Sequence, residues 1–293
     1  MTQDSKGLIN DVQQIMARQW DRRQLLGYGA GGTAALLLAG CGGSSGDSST
    51  SSTVASSGTA SNSTDTTSSG STDSSTDSTG AVSSCGNIPE ETEGPYPADG
   101  SNGVNVLTRS GIVRSDIRTS LNTGNVAQGV PLSIVLKLVN TNNACAALED
   151  YAIYLWHCNR DGNYSLYSSS IASEDYLRGV QQTSADGVVT FSSIFPACYD
   201  GRWPHIHFEV YRSLDAAMTY RNKIRTSQMA MPQDICQTVY ANASGYTASQ
   251  SNLSRASLST DNVFRDGYSL QLSSVTGSVT AGYVATLIVG VAV

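Results

Sequence analysis

Phe195-Pro-Ala-Cys-Tyr-Asp-Gly-Arg-Trp-Pro-His-Ile-His-Phe-Glu-Val210 is the stretch on which the fold turns. Asp200-Gly201 marks a tight turn, and His205 to Val210 reads as a strand with branched and aromatic residues. The segment carries two of the chain's three histidines. In a strand, residues i and i+2 share a face, about 7 Å apart along the chain. His205 and His207 can therefore converge on one point, such as a metal ion. The plain alternative is a strand with two surface histidines. Tyr199 and Arg202 lie in the same turn, so a phenol and a cation accompany the imidazoles.

Strands surround this stretch in the sequence. Val130 to Val139 alternates and is rich in branched apolar residues, and Tyr151 to Trp156 reads the same way. Leu177 to Gln182 is a further candidate. Ser184-Ala-Asp-Gly187 reads as a hairpin turn leading into Val188 to Phe195. Tyr268 to Leu272 and Tyr283 to Ala292 return to strand, while Leu214 to Met231 is expected to be a helical or irregular insertion. Ile88 to Pro97 is extended, because each proline removes a donor and biases its predecessor away from helix. Many short strands between turn signals, with no long amphipathic helix, predict an all-β domain with a β-sandwich core and irregular loops over residues 85–293.

The first 84 residues have a different character. Trp20-Asp-Arg-Arg-Gln-Leu-Leu26 precedes a short, glycine-rich apolar run ending in Leu38-Ala-Gly-Cys41. Residues 1–40 thus resemble a twin-arginine export signal closing in a lipobox, with Cys41 as the lipidated first residue of the mature chain. Residues 41–84 are almost wholly Ser, Thr, Gly and Asp, which cannot bury apolar area; they predict a disordered linker spanning roughly 35 Å. The expected location is outside the cytoplasm, lipid-anchored to a bacterial cell envelope on its periplasmic or cell-surface side, with the N-terminal anchor making the membrane contact. Net charge is −7, from 17 Lys and Arg against 24 Asp and Glu. A nucleic-acid partner is therefore not expected, since there is no basic excess to neutralise phosphates. Beyond Cys41 stand Cys85, Cys145, Cys158, Cys198 and Cys236, an odd number. Export permits disulfides, and the preferred pairs are Cys145–Cys158 and Cys198–Cys236, leaving Cys85 unpaired.

Four short motifs recur in one order: Gly162-Asn-Tyr-Ser165, Asp186-Gly187, Ile194-Phe-Pro-Ala-Cys-Tyr199, and Arg202-Trp-Pro-His-Ile-His-Phe208. Together with Thr92-Glu-Gly-Pro-Tyr96 they resemble the intradiol ring-cleavage dioxygenases, over roughly residues 85–230 and more loosely beyond. The resemblance implies a mononuclear non-haem Fe(III) held by Tyr164, Tyr199, His205, His207 and a solvent hydroxide, with Tyr164 and His205 equatorial and Tyr199 and His207 axial. Two tyrosinates and a hydroxide match the ferric charge, and hard anionic oxygen favours ferric iron, whereas two histidines and one carboxylate would suggest Fe(II). The implied reaction is cleavage of a small aromatic diol by O2 to a cis,cis-muconate-type product. Bound substrate displaces the hydroxide and Tyr199, and those two groups take its protons. Arg202 matches the arginine that stabilises carbanion character on the ring, against a plain role as a salt bridge on the turn. Gln228 is a candidate neighbour of the metal ligands, although its distance from His207 in sequence is long for the family. His157 reads as a packed, hydrogen-bonded residue behind the ligands, and Trp203 and Tyr96 as pocket walls. Cys198 departs from the better-known enzymes, and a disulfide there would stiffen the Tyr199 loop. Two other readings stand beside this one: a non-enzymatic cell-surface β-sandwich binding module that keeps the metal site, and a copper or zinc hydrolytic site on His205 and His207. An oligomer is compatible with the sequence.

Overall fold

The computed structural model describes residues 85–293. The expected signal peptide, Cys41 and the Ser/Thr-rich linker lie outside the described residues. Among these, nine strands form: β1 (Pro131–Asn140), β2 (Ala146–Ala147), β3 (Ala152–Trp156), β4 (Arg178–Gln182), β5 (Val188–Ile194), β6 (His205–Tyr211), β7 (Lys223–Ala230), β8 (Ser274–Ser278) and β9 (Gly282–Val291). Two short helices, α1 (Gln233–Asn242) and α2 (Thr247–Leu253), lie between β7 and β8.

The strands make two sheets. In one, β1 is central: β9 runs parallel along one edge, with β8 antiparallel beyond it, and β5 and β2 pair antiparallel along the other. The first and last long strands are thus neighbours, which closes the domain on itself. The other sheet is antiparallel throughout, in the order β4-β3-β6-β7. Alternate residues of both sheets share a single core: Leu132, Ile134, Leu136 and Leu138 of β1, Ile153 and Leu155 of β3, and Ile206, Phe208 and Val210 of β6. Each such side chain, fully buried, contributes about 1.5–3 kcal/mol of apolar transfer energy.

All seven residues of β6 are buried, which the core alone cannot explain. Its even-numbered residues face the other sheet. Its odd-numbered residues belong to the opposite face, where Tyr211, with Tyr154 and Trp156 of β3, packs against Ala98, Val106, Leu107, Ile112 and Tyr164. Long loops from residues 95–112 and 158–167 therefore cover the outer face of this sheet, and the His-x-His face lies beneath them.

Several expectations are corrected. Ser184–Gly187 does form a tight turn, with Gly187 N–H donating to Ser184 C=O at 2.7 Å. It is not a hairpin, because β4 and β5 belong to different sheets. Only the first part of the Leu214–Met231 stretch is irregular, with two 3₁₀ turns; the rest is β7, paired along β6. Its buried Thr226, Ser227 and Gln228 disguise it as a polar segment. Tyr268–Leu272 is not a strand, and only Leu272 bridges, to Ala230.

The disulfide pairing is also different. Cys85 bonds Cys145, while Cys158, Cys198 and Cys236 are free and buried. Topology explains the bond. Ile88 N–H donates to Gly290 C=O at the end of β9, and β9 runs parallel to β1, so Cys85 arrives beside the turn that follows β1. The bond closes a separation of 60 residues. Cys85→Ser should lower stability by about 2–4 kcal/mol through the freer unfolded chain. Chemical denaturation with and without reductant checks this: reductant should shift wild type down to the variant and leave the variant unmoved.

Candidate metal centre

Three separate devices bring the proposed ligands together. β6 supplies His205 and His207, whose Nε2 atoms lie 3.1 Å apart. The β3-to-β4 connection supplies Tyr164. Asn159 shapes that loop, its side-chain oxygen accepting the N–H groups of Asp161 and Asn163 at 3.0 and 2.9 Å, and Ser168 Oγ accepts from Tyr164 N–H at 3.0 Å. Gly162, at φ +84°, sits where an added Cβ would lie 3.1 Å from Tyr199 Cβ, so the two tyrosine loops press together at a residue without a side chain. The β5-to-β6 connection supplies Tyr199. It is held by α2, since Cys198 C=O accepts from Asn252 at 2.8 Å and Ser249 Oγ accepts from Cys198 N–H at 3.1 Å.

The four donor atoms converge. Tyr164 Oη is 3.4 Å from both His205 Nε2 and His207 Nε2 and 3.5 Å from Tyr199 Oη; Tyr199 Oη is 3.2 Å from His205 Nε2. Ligands about 2.0–2.1 Å from one metal stand roughly 3 Å from their neighbours, so these separations suit a shared ion. His205 Nδ1–H donates to Trp203 C=O, which fixes the tautomer and aims the Nε2 lone pair at the cluster. His207 Nδ1 has no hydrogen-bond partner. Its ring is oriented instead by stacking on Trp156, at 4.9 Å between centroids and 6° between planes. Gly94, at φ +69°, lies against the same ring, with His207 Cε1 3.5 Å from the place a Cβ would take.

The electrostatics suit a cation that deprotonates its ligands. Burial first, then the Arg202 cation, pushes the His205 imidazole down to about 3. Burial, then His205, holds His207 well below the ordinary range. Both are neutral nitrogen donors at any working pH. Burial pushes the Tyr199 phenol up to about 12 and Tyr164 well above its usual value, with Arg202 opposing both. Two protonated phenols and two neutral imidazoles in one buried cluster offer lone pairs and no charge. A strongly charged metal ion is the partner that would repay their burial. Among the described residues no group of three or more His, Cys, Asp or Glu could hold a metal, so an ion here takes phenol oxygen.

Tyr164 is buried and Tyr199 only half-buried, so the two phenols differ in freedom to leave. Cys198 is a free thiol, donating weakly to Arg202 C=O at 3.5 Å and pushed up to about 12 by burial. No disulfide stiffens the Tyr199 loop.

Gln228 sits opposite His207 in the β6–β7 register. The irregular segment between those strands accounts for its long sequence distance. Arg202 Nη2 donates to Gln228 Oε1 at 2.7 Å, and Gln228 Nε2 donates to Thr92 C=O at 2.9 Å. Arg202 Nε pairs with Asp261 at 2.9 Å, so the guanidinium is both a salt bridge on the turn and a cation beside the donors. His157 is buried, its Nδ1 toward Cys158 C=O at 2.8 Å and its Nε2 toward Ser193 Oγ at 2.7 Å; burial lowers it to about 4. Both its nitrogens are spent away from the donor cluster. Tyr96, on the rim, packs on Tyr164 with centroids 4.9 Å apart. Trp203 is fully buried, its Nε1–H donating to Met231 C=O at 2.8 Å, so it is a core residue. The sequence reading missed Asp261 and Arg178. Asp261 lies 59 residues beyond Arg202, with no motif around it.

No protein-family model and no curated protein sequence matches the chain. Solved structures do. An intradiol ring-cleavage dioxygenase from Tetranychus urticae superposes with a TM-score of 0.55 at 23% identity, over 71% of this chain and 95% of that one. A second solved dioxygenase structure matches at 24% identity with the same TM-score and the same shares of each chain. At such identities the likeness establishes the fold.

Proposed function

We propose that this chain is an intradiol ring-cleavage dioxygenase that opens a catecholic ring with O2 to a cis,cis-muconate-type product. The observation that carries the reading is the convergence of Tyr164, Tyr199, His205 and His207 donor atoms within 3.5 Å, on the fold that solved dioxygenases share. Tyr164, Tyr199, His205 and His207 would hold a mononuclear non-haem Fe(III), which when bound binds the catecholate and draws electron density from its ring.

The protein's part is positioning and proton transfer. Half-buried Tyr199 is the phenol placed to let go. Its high proton affinity off the metal makes it a good acceptor for one substrate hydroxyl proton, at Oη. Tyr164 and the two histidines, all buried, remain as fixed donors. Arg202, pinned by Asp261 and Gln228, presents a cation where negative charge develops on the ring, which needs no reorganisation during reaction. Tyr96 offers an aromatic wall beside Tyr164. The twin-arginine-like segment and Leu38-Ala-Gly-Cys41 support an exported enzyme anchored through lipid on Cys41; Cys41→Ser should then move the protein from the membrane fraction to the soluble one.

Natively loaded protein should contain one iron per chain, show the burgundy-red absorption of tyrosinate-to-iron charge transfer, and consume O2 with a catechol. Tyr199→Phe should weaken and shift that band, keep iron, and slow turnover by about 100-fold, because the proton acceptor is lost. A colourless protein that retains no iron after reconstitution would sink the proposal. Iron without O2 uptake across a catechol panel would favour a binding module instead.

A further inference from the structure

We infer that Asp261 is a positioning residue that fixes Arg202 for ring cleavage; the inference rests on the dioxygenase reading above. Asp261 enters from the loop after α2, outside every motif of the donor cluster. Its side chain is 1% exposed against 16% for Arg202. One carboxylate oxygen, Oδ2, accepts from Arg202 Nε at 2.9 Å and from Trp203 N–H at 2.7 Å. The other, Oδ1, accepts from Val263 N–H at 2.9 Å and Phe264 N–H at 3.4 Å, which is an ordinary turn-capping role. The two oxygens thus do different work.

Nε and Nη2 lie on one edge of the guanidinium plane. Asp261 takes Nε and Gln228 takes Nη2, so both the position and the tilt of the plane are set. Gln228 is itself backed by Thr92 C=O, and its own carbonyl accepts from Gln271 at 3.2 Å. A free arginine directly after Gly201 would sample many rotamers and spend most of its time in water. A buried ion pair is a weak device for stability. Its value here is a single guanidinium orientation beside the donor cluster, where a displacement of about 1 Å can cost on the order of 100-fold in rate.

The test uses full-length, natively iron-loaded protein and O2 uptake with a catechol. Asp261→Asn can keep the Oδ1 caps only by turning its amide N–H groups against the Arg202 and Trp203 donors. It should lower kcat by about 10–100-fold, leave KM within about threefold, and leave iron content and the charge-transfer band unchanged. In an Arg202→Met background the same change should slow turnover by no more than about twofold, because there is no guanidinium left to position. Losses that multiply in the double variant, an Asp261→Asn kcat near wild type, or loss of iron or the band each overturn the inference while the wild type still turns over. A wild type with iron and no ring cleavage overturns the dioxygenase reading, and this inference with it. Should Asp261→Asn fail to fold, Arg202→Lys carries the test. It keeps the cation but loses the two-ended grip, so its kcat should fall about as far as in Arg202→Met; a lysine variant near wild type overturns the inference.

Discussion

His205→Ala should leave a folded protein that retains no iron and cleaves catechols slower by on the order of 1000-fold or more. Loss of residues that merely orient a ligand costs about 10–100-fold, and His205 is a ligand candidate at the centre of the cluster. Its Nε2 is within 3.4 Å of all three other donor atoms. Alanine deletes that nitrogen and opens a gap that water can enter. The cost to the metal-free fold is small by comparison. One hydrogen bond to Trp203 C=O is lost, worth about 1 kcal/mol, and the imidazole's burial penalty disappears with it. Metal analysis by mass spectrometry, the visible spectrum and a thermal melt of the iron-free protein separate the two effects. Iron retained at wild-type stoichiometry would mean that His205 is not a ligand.

The sequence made the metal centre easier to read than the scaffold around it. His205 and His207 announce themselves because a strand puts i and i+2 on one face. Tyr164 and Tyr199 follow because each sits in a turn whose glycine or asparagine chemistry is local. The strand β7 was harder. Its buried Thr226, Ser227 and Gln228 face polar partners, the N-terminal segment and Arg202, so the apolar alternation that marks a strand is missing. The wrong disulfide pairs arose from the same source. Cys145 and Cys158 are close in sequence, yet β2 and β3 carry them into different sheets, while a β9-to-β1 parallel pairing brings Cys85 to Cys145 from 60 residues away. Asp261 and Arg178 were illegible for a similar reason: each acts through contacts between segments that no periodicity links.

Arg178→Met should be the most destabilising single change among those considered, at about 3–5 kcal/mol, because it removes a fully hydrogen-bonded buried cation. Arg178 lies on β4 and is 1% exposed. Its Nε donates to Ser165 Oγ at 3.0 Å; Nη1 donates to Pro97 C=O at 3.0 Å and Tyr154 Oη at 3.1 Å; Nη2 donates to Tyr96 C=O at 2.9 Å and Ser165 C=O at 3.0 Å. These bonds use all five N–H groups of a guanidinium. Methionine would fill the space but leave three buried carbonyls short of donors, each costing about 1–3 kcal/mol before relaxation. For a domain of this size the melting temperature should fall by roughly 10 °C or more. The change should also reach the site. Arg178 ties Tyr96, the aromatic rim, to Ser165, the residue after Tyr164, so the two rings that pack at 4.9 Å lose their common anchor. Well below the melting point, kcat/KM should fall by at least about 10-fold, with iron still bound through the remaining donors. A melt within about 3 °C of wild type, or an unchanged kcat/KM in a destabilised variant, would show that the loops over the His-x-His face are held by other contacts.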